Sequence, residues 1–125
     1  AHNPEKVRAA LEGARERFPL KKIIAIFQPH LYSRTKNLLD NFGGSFADAD
    51  EIILAPIYAA REAFDPTITS EMLAAAIKKT GKKVTVFQSL HKIVNSLRTQ
   101  RFDKDHVLIT IGAGDIYKVG EKLVG

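Results

Sequence analysis

A cluster of side chains able to bind anions and transfer protons follows one apolar run of this chain. The run covers residues 23–27, and residues 27–35 read Phe-Gln-Pro-His-Leu-Tyr-Ser-Arg-Thr. Arg34 can hold a carboxylate or phosphate through two parallel hydrogen bonds, and His30 can orient a ligand or transfer a proton. Ligands of open α/β sheets bind beyond the carboxyl ends of the strands, so this segment is a candidate site. From position alone, a surface arginine paired with a carboxylate and a histidine satisfied by local backbone groups explain the segment equally well.

Two other segments carry groups suited to an anionic ligand. His2 and Asn3 stand at the start of a predicted helix, where unpaired N–H groups attract anions. Helix capping alone explains Asn3 but not His2. Gly112-Ala113-Gly114 follows another apolar run, and glycines there let backbone amides approach a ligand closely. A lone Gly-x-Gly is also a common sharp turn, and Gly112, Ala113 and Gly114 lack the third glycine of the dinucleotide-binding fingerprint.

A fourth polar segment, residues 58–65, follows another predicted strand. Arg61, Glu62 and Asp65 could contact a substrate or another domain, although an exposed loop of salt bridges is the slightly favoured interpretation. The sequence contains no Gly-x-x-x-x-Gly-Lys-Ser/Thr phosphate-binding loop. It also has no spacing of His, Asp and Glu that is typical of a metal site.

The apolar patterns predict one helix followed by four strand–helix units. Strands are expected at residues 23–27, 52–57, 84–87 and 107–111, and helices at residues 4–18, 35–46, 69–80, 89–97 and 116–123. The second helix is weakened by Gly43-Gly44, which either fray it or let it pack closely. Strands that are apolar on both faces and alternate with helices indicate a parallel sheet with right-handed crossovers. The predicted fold is therefore α/β, a Rossmann-like three-layer sandwich.

The amino-acid composition limits the classes of protein to which this chain can belong. Hydrophobic residues make up 45% and charged residues 26% of 125 residues, which fits one globular domain over residues 1–125. The net charge of +5 is scattered over helix ends without interleaved aromatic residues, so we expect no nucleic-acid partner. No apolar run approaches the roughly 20 residues that span a bilayer, and the lack of cysteine is compatible with the cytoplasm. Because the chain opens on a helix, we expect a fragment of a longer protein.

Four segments together resemble the C-terminal domain of the Mur ligases, in the order in which that family carries them. They are Ala1-His2-Asn3-Pro4, Phe27-Gln28-Pro29-His30 with Tyr32-Ser33-Arg34-Thr35, Tyr58-Ala59-Ala60-Arg61-Glu62, and Gly112-Ala113-Gly114-Asp115. The His-Asn-Pro piece is shared with folylpolyglutamate synthases, whereas the second piece is most similar to the alanine-adding branch of the family. The resemblance implies a ligase of peptidoglycan precursor synthesis that uses ATP to join L-alanine to UDP-N-acetylmuramate through an acyl phosphate.

The resemblance also implies a division of labour among three domains. An N-terminal domain would hold the UDP-sugar, and a central domain would carry the phosphate-binding loop and the Mg²⁺ ligands, so the isolated C-terminal domain would be inactive. His2 and Asn3 would lie near ATP. His30 and Arg34 would bind the alanine and the reacting carboxylate, and residues 112–114 would offer backbone amides to the same site.

Two departures from the family pattern accompany this resemblance. Leu31 stands where many relatives have arginine or another residue, so the contact made by that side chain is expected to be absent here. The Asp-Asp-Tyr and the strand that usually precede Ala1 are absent, so we expect the domain to lack its first strand. A stand-alone anion- or nucleotide-binding module, a murein-peptide ligase domain and a folylpolyglutamate-type ligase domain are the alternatives.

Overall fold

The computed structural model describes residues 3–99 and 105–112. The described helices are α1 (Pro4–Arg17), α2 (Tyr32–Asn37), α3 (Leu39–Gly43), α4 (Ser70–Lys78) and α5 (Leu90–Thr99). The described strands are β1 (Lys22–Gln28), β2 (Glu51–Leu54), β3 (Lys83–Val86) and β4 (His106–Gly112). The helix predicted at residues 116–123 lies outside the described residues. None of the described helices has the length and apolar character needed to cross a lipid bilayer.

The four described strands form one parallel sheet in the order β3-β2-β1-β4. Strand β1 is therefore interior and pairs with both β2 and β4. Because all pairings are parallel, the carboxyl ends of these strands lie at a single edge of the sheet. The predicted parallel α/β sheet is confirmed. The additional first strand concerns residues outside this sequence and stays a prediction.

Helices cover both faces of the sheet, as the predicted three-layer sandwich requires. Ile23, Ala25 and Phe27 of β1 belong to a core that also includes buried side chains of α1, α3 and α4. Ile24 and Ile26 point to the other face and belong to a second core with α5. Residues 23–28 are all buried, which explains why the run is apolar on both faces.

The predicted helix starts at Asn3, Thr69 and Ser89 are confirmed by their capping hydrogen bonds. The Asn3 side chain accepts from the Lys6 N–H at 2.9 Å. The Thr69 hydroxyl accepts from the Met72 N–H at 3.2 Å, and the Ser89 hydroxyl accepts from the Lys92 N–H at 3.1 Å. Each bond satisfies an N–H that the first turn of a helix leaves unpaired.

The single helix predicted over residues 35–46 is wrong, because the structure divides it into α2 and α3. The helix begins earlier, at Tyr32, and breaks at Leu38, whose φ of −111° and ψ of 19° leave the helical region. The break lets α3 place Phe42 beside Phe27, with ring centroids 5.5 Å apart. A Cβ at Gly43 would stand 3.1 Å from the backbone oxygen of Ala76 in α4. The glycine therefore permits close packing.

A partly exposed hydrogen-bond network joins α1, β1 and the residue before β2 at the amino end of the sheet. The Asp50 carboxylate accepts from the Ile23 N–H and from the Arg15 guanidinium, both at 2.8 Å. Desolvation raises the pKa of Asp50, but the hydrogen bonds from Ile23 and Arg15 outweigh it and hold this pKa below its ordinary value. This carboxylate therefore stabilises the fold in its ionised form.

Candidate functional site

The loops that follow β1 and β2 are joined to each other by backbone hydrogen bonds. The Tyr58 N–H donates to the Pro29 oxygen and the Leu31 N–H donates to the Tyr58 oxygen, both at 2.8 Å. These bonds make His30 and Tyr58 an isolated parallel bridge beyond the ends of the strands. The two loops that the sequence singled out separately therefore form one continuous surface at the carboxyl edge of the sheet.

His30 and Arg34 form a hydrogen-bonded pair on this surface. The Arg34 Nη1 donates to the His30 Nδ1 at 2.9 Å, a contact that the first turn of α2 makes possible. A guanidinium can only donate, so Nδ1 accepts and the proton of the neutral imidazole lies on Nε2. The His30 ring also stacks on Tyr58, with centroids 5.8 Å apart and an angle of 19° between the planes.

The environment keeps His30 neutral. Burial lowers its pKa most, the positive charge of Arg34 lowers the pKa further, and the Glu62 carboxylate opposes both effects. The pKa of His30 consequently lies below its ordinary value of 6.5. The pair therefore presents one formal positive charge, which is carried by Arg34.

The Arg34 guanidinium is well suited to an anion. The side chain is half-buried, and its one hydrogen-bond partner among the described residues is His30. A guanidinium has five N–H donors, so most of them remain for a ligand. Within residues 3–99 and 105–112, no carboxylate forms an ion pair with Arg34. The arrangement can hold a carboxylate or phosphate by two parallel hydrogen bonds.

The start of α2 has an unusual geometry. Leu31 occupies the N-cap position with a φ of +68° and offers no side-chain acceptor. Its backbone oxygen accepts from the Thr35 N–H at 3.2 Å and from the Thr35 hydroxyl at 2.8 Å. Glu62, from the neighbouring loop, accepts from the Ser33 N–H at 3.2 Å and from the Ser33 hydroxyl. The sequence pattern favours an exposed loop of salt bridges for Glu62 and does not predict this contact, because it begins the helix at residue 35 and so leaves Ser33 outside the first turn that needs a cap.

The aromatic residues near the carboxyl edge of the sheet have different environments. Phe27 is fully buried in the core. Tyr32 is half-buried and meets Phe64 edge to face, with centroids 5.7 Å apart. The stacking of Tyr58 on His30 was also missed, although both residues follow apolar runs that pair as neighbouring strands. The Tyr58 ring thus packs against the imidazole in an offset, near-parallel arrangement.

Gly112 ends β4 directly opposite Gln28 of β1. Its φ is +133°, and a Cβ there would stand 2.4 Å from the Gln28 backbone oxygen. The Gln28 side chain donates to the Pro56 oxygen at 3.2 Å, while its buried Oε1 has no partner among the described residues. Close approach of two strands explains Gly112. Ala113 and Gly114 lie outside the described residues, so the backbone amides expected from them stay a prediction.

The predicted ATP contacts fall at the start of α1. His2 lies outside the described residues. Asn3 caps α1 and lines a cavity of about 230 Å³ together with Leu38 and Asn41, which follow α2. Asn3 is therefore explained by capping, and its contact with ATP stays a prediction.

The described residues do not supply a magnesium site. In residues 3–99 and 105–112, no three His, Asp or Glu side chains come together in a way that could hold a metal ion. The chemistry of a Mg²⁺-bound nucleotide is therefore not assigned to these residues.

Comparison with known proteins gives consistent matches over nearly the whole chain. The model of the family described as "Mur ligase, glutamate ligase domain" matches residues 1–114. The UDP-N-acetylmuramate–L-alanine ligase of Clostridium acetobutylicum is 45% identical over 121 residues, which are 97% of this chain and 26% of that protein. The enzyme of the same name from Caldanaerobacter subterraneus subsp. tengcongensis is 49% identical over 124 residues, or 99% of this chain and 26% of that protein. This chain thus spans about a quarter of the length of these relatives.

Two solved structures share the fold. The UDP-N-acetylmuramate-alanine ligase of Thermotoga maritima matches with a TM-score of 0.74 and 27% identity, over 99% of this chain and 24% of that one. A murein peptide ligase from Psychrobacter arcticus matches with a TM-score of 0.71 and 18% identity, over 99% of this chain and 25% of that one. The second likeness concerns the fold alone.

Proposed function

Because this chain belongs to the Mur ligase family, we propose that it is the amino-acid-positioning domain of an ATP-dependent UDP-N-acetylmuramate–L-alanine ligase. The observation that carries the proposal is the 45–49% identity to enzymes of that name across almost the full chain. The anion-binding geometry of Arg34 beside a neutral His30 supplies the chemistry that such a domain needs. The product would be a precursor of peptidoglycan.

The proposed reaction forms one amide bond at the expense of ATP. The muramoyl carboxylate takes the γ-phosphoryl group and becomes an acyl phosphate, with release of ADP. The amine of L-alanine then attacks the acyl carbon, loses a proton and displaces phosphate. Arg34 would hold the alanine carboxylate by two hydrogen bonds, which leaves the amine end directed away from the guanidinium. Such positioning lowers the entropic part of the barrier.

The roles of the other predicted site residues follow from the same proposal. His30 would orient Arg34 and contact the alanine or the reacting carboxylate, and residues 112–114 would add backbone donors. His2 and Asn3 would lie near ATP. The UDP-sugar, the phosphate-binding loop and the Mg²⁺ ligands would belong to N-terminal and central domains of the same cytoplasmic protein. Residues 1–125 would then form its C-terminal domain, inactive on their own.

A domain exchange tests the proposal. The matching quarter of the Thermotoga maritima ligase would be replaced by this chain, and phosphate release would be measured with UDP-N-acetylmuramate, ATP and a panel of amino acids. We expect alanine-dependent turnover, and the same exchange carrying Arg34→Ala is the matched control. A folded hybrid that prefers a peptide or glutamate over alanine would contradict the proposed substrate. A folded hybrid without any ligase activity would contradict the proposed role.

A further inference from the structure

A carboxylate from one loop acts as the cap of the helix that carries Arg34. Helix α2 has six residues, and the residue at its N-cap, Leu31, provides no side-chain acceptor. The first N–H groups of any helix lack partners within the helix. Glu62, which lies beyond β2, accepts from the N–H and the hydroxyl of Ser33. The helix after β1 is therefore capped by a residue of the next strand unit.

The charge of Glu62 matches this capping role. The hydroxyl of Ser33 lowers the pKa of Glu62 most, and the backbone N–H groups of Ser33 and Tyr32 lower it further. Desolvation and the nearby charge of Asp65 raise this pKa, but the net shift is downward. The carboxylate is consequently ionised at neutral pH. A negative charge at a helix start is favourable because the backbone dipoles point their positive ends there.

Helix α2 depends on such external attachments. An isolated helix of six residues is not stable in water, because nucleation is costly and the few hydrogen bonds formed do not offset that cost. The described hydrogen bonds that tie its start to the loop after β2 are the backbone bond from Leu31 to Tyr58 and the bonds from Ser33 to Glu62. Tyr32 also packs edge to face on Phe64 of that loop, but this contact lies on the other side of Ser33 from Arg34. Arg34 follows Ser33 directly. A shift of this turn would therefore move the guanidinium relative to His30, which the backbone bridge to Tyr58 holds separately.

We propose that Glu62, acting through Ser33, is a positioning residue that sets the place of Arg34 against His30. The identity of the ligand, an amino-acid carboxylate, rests on the proposed function. The positioning itself rests on the contacts just described. In the competing explanation Glu62 contacts the substrate directly. The two explanations predict different effects of replacing Glu62 on the structure of the ligand-free protein.

The kinetic test uses the full-length ligase that contains this chain. Glu62→Ala should raise the KM for alanine about tenfold or more, because small displacements of a binding group cost that much. The KM for ATP should stay near the wild-type value. Glu62→Gln keeps an oxygen acceptor for the Ser33 N–H and should restore most of the affinity. Glu16→Ala, an exposed site in α1, removes the same charge elsewhere and should leave both KM values unchanged.

The structural test uses the ¹⁵N signal of the His30 ring in this chain without ligands. We expect Glu62→Ala and Ser33→Ala to shift the Nδ1 signal because the bond from Arg34 is weakened, and Glu62→Gln to shift it far less. A changed signal with an unchanged alanine KM would refute the proposed function while the positioning role stands. A raised KM with an unchanged signal would overturn the positioning role, because Glu62 would then act on the substrate itself. No change in either measurement would also overturn it.

Discussion

Replacing Gly112 by alanine should destabilise the sheet more than any other glycine-to-alanine change in the described residues. The new Cβ would stand 2.4 Å from the Gln28 oxygen and 3.1 Å from the Gln28 nitrogen. Both are backbone atoms of the interior strand β1, so no side-chain rotation relieves the clash. Strands β1 and β4 would have to separate at the edge that carries the candidate site.

The expected magnitude has two parts. A φ of +133° is strained for alanine, at about 1–3 kcal/mol. Forcing an extra methyl group into a packed contact adds about 1–3 kcal/mol. The sum, about 2–6 kcal/mol, is a large fraction of the 5–15 kcal/mol that typically stabilises a domain.

Substitutions at two other glycines allow the conformational and the steric contributions to be measured separately. Gly81 has a φ of +87° but open space around its Cβ position, so Gly81→Ala should show the conformational cost alone. Gly13 lies in α1 with nothing within 4 Å, and Gly13→Ala should stabilise the chain by about 0.5–1 kcal/mol. Urea unfolding followed by circular dichroism at 222 nm measures all three. If Gly112→Ala lost no more stability than Gly81→Ala, the close approach to Gln28 would be refuted.

Three further predictions concern the site, the amino-end edge and the α3–α4 contact. In the full-length ligase, Arg34→Ala should lower kcat/KM for alanine by the equivalent of about 1–3 kcal/mol; an effect within error would remove Arg34 from the site. Asp50→Asn should lower the urea midpoint at pH 7. The folded-state pKa of Asp50 lies below its ordinary value of 3.8. The ionised carboxylate therefore stabilises the fold above the unfolded pKa, and this stabilisation is lost as the pH falls through the folded pKa. The urea midpoints of the variant and the wild type should consequently converge in acid. Gly43→Ala should be less stable than Gly44→Ala in the same unfolding assay, because a Cβ at Gly43 would stand 3.1 Å from the Ala76 backbone oxygen whereas a Cβ at Gly44 meets open space. The difference should reach about 1–3 kcal/mol if α3 and α4 do not move apart.

The sequence predicted the elements that depend on interactions between residues close together in the chain. The caps at Asn3, Thr69 and Ser89 depend on a side chain and an N–H three residues away, so their residue types predicted them. The apolar run of β1 predicted an interior parallel strand, because a strand covered on both faces has no polar side. The break at Leu38 was not predicted, because the apolar spacing of residues 35–46 continues across it. The packing of Phe42 on Phe27 that accompanies the break joins segments that are distant in the chain.

The candidate site divides along the same line. The sequence alone shows that His30, Arg34 and Gly112 occur in the order of the family they resemble. It also predicts that they lie at the ends of strands. Only the tertiary structure decided that Arg34 donates to His30, that Glu62 caps the turn before Arg34, and that Gly112 abuts Gln28. The physical reason is that the last two contacts join residues brought together by parallel pairing of strands far apart in the chain. Hydrogen bonds and steric limits act over a few ångströms in space, and the sequence pattern of one strand does not state which strand lies beside it.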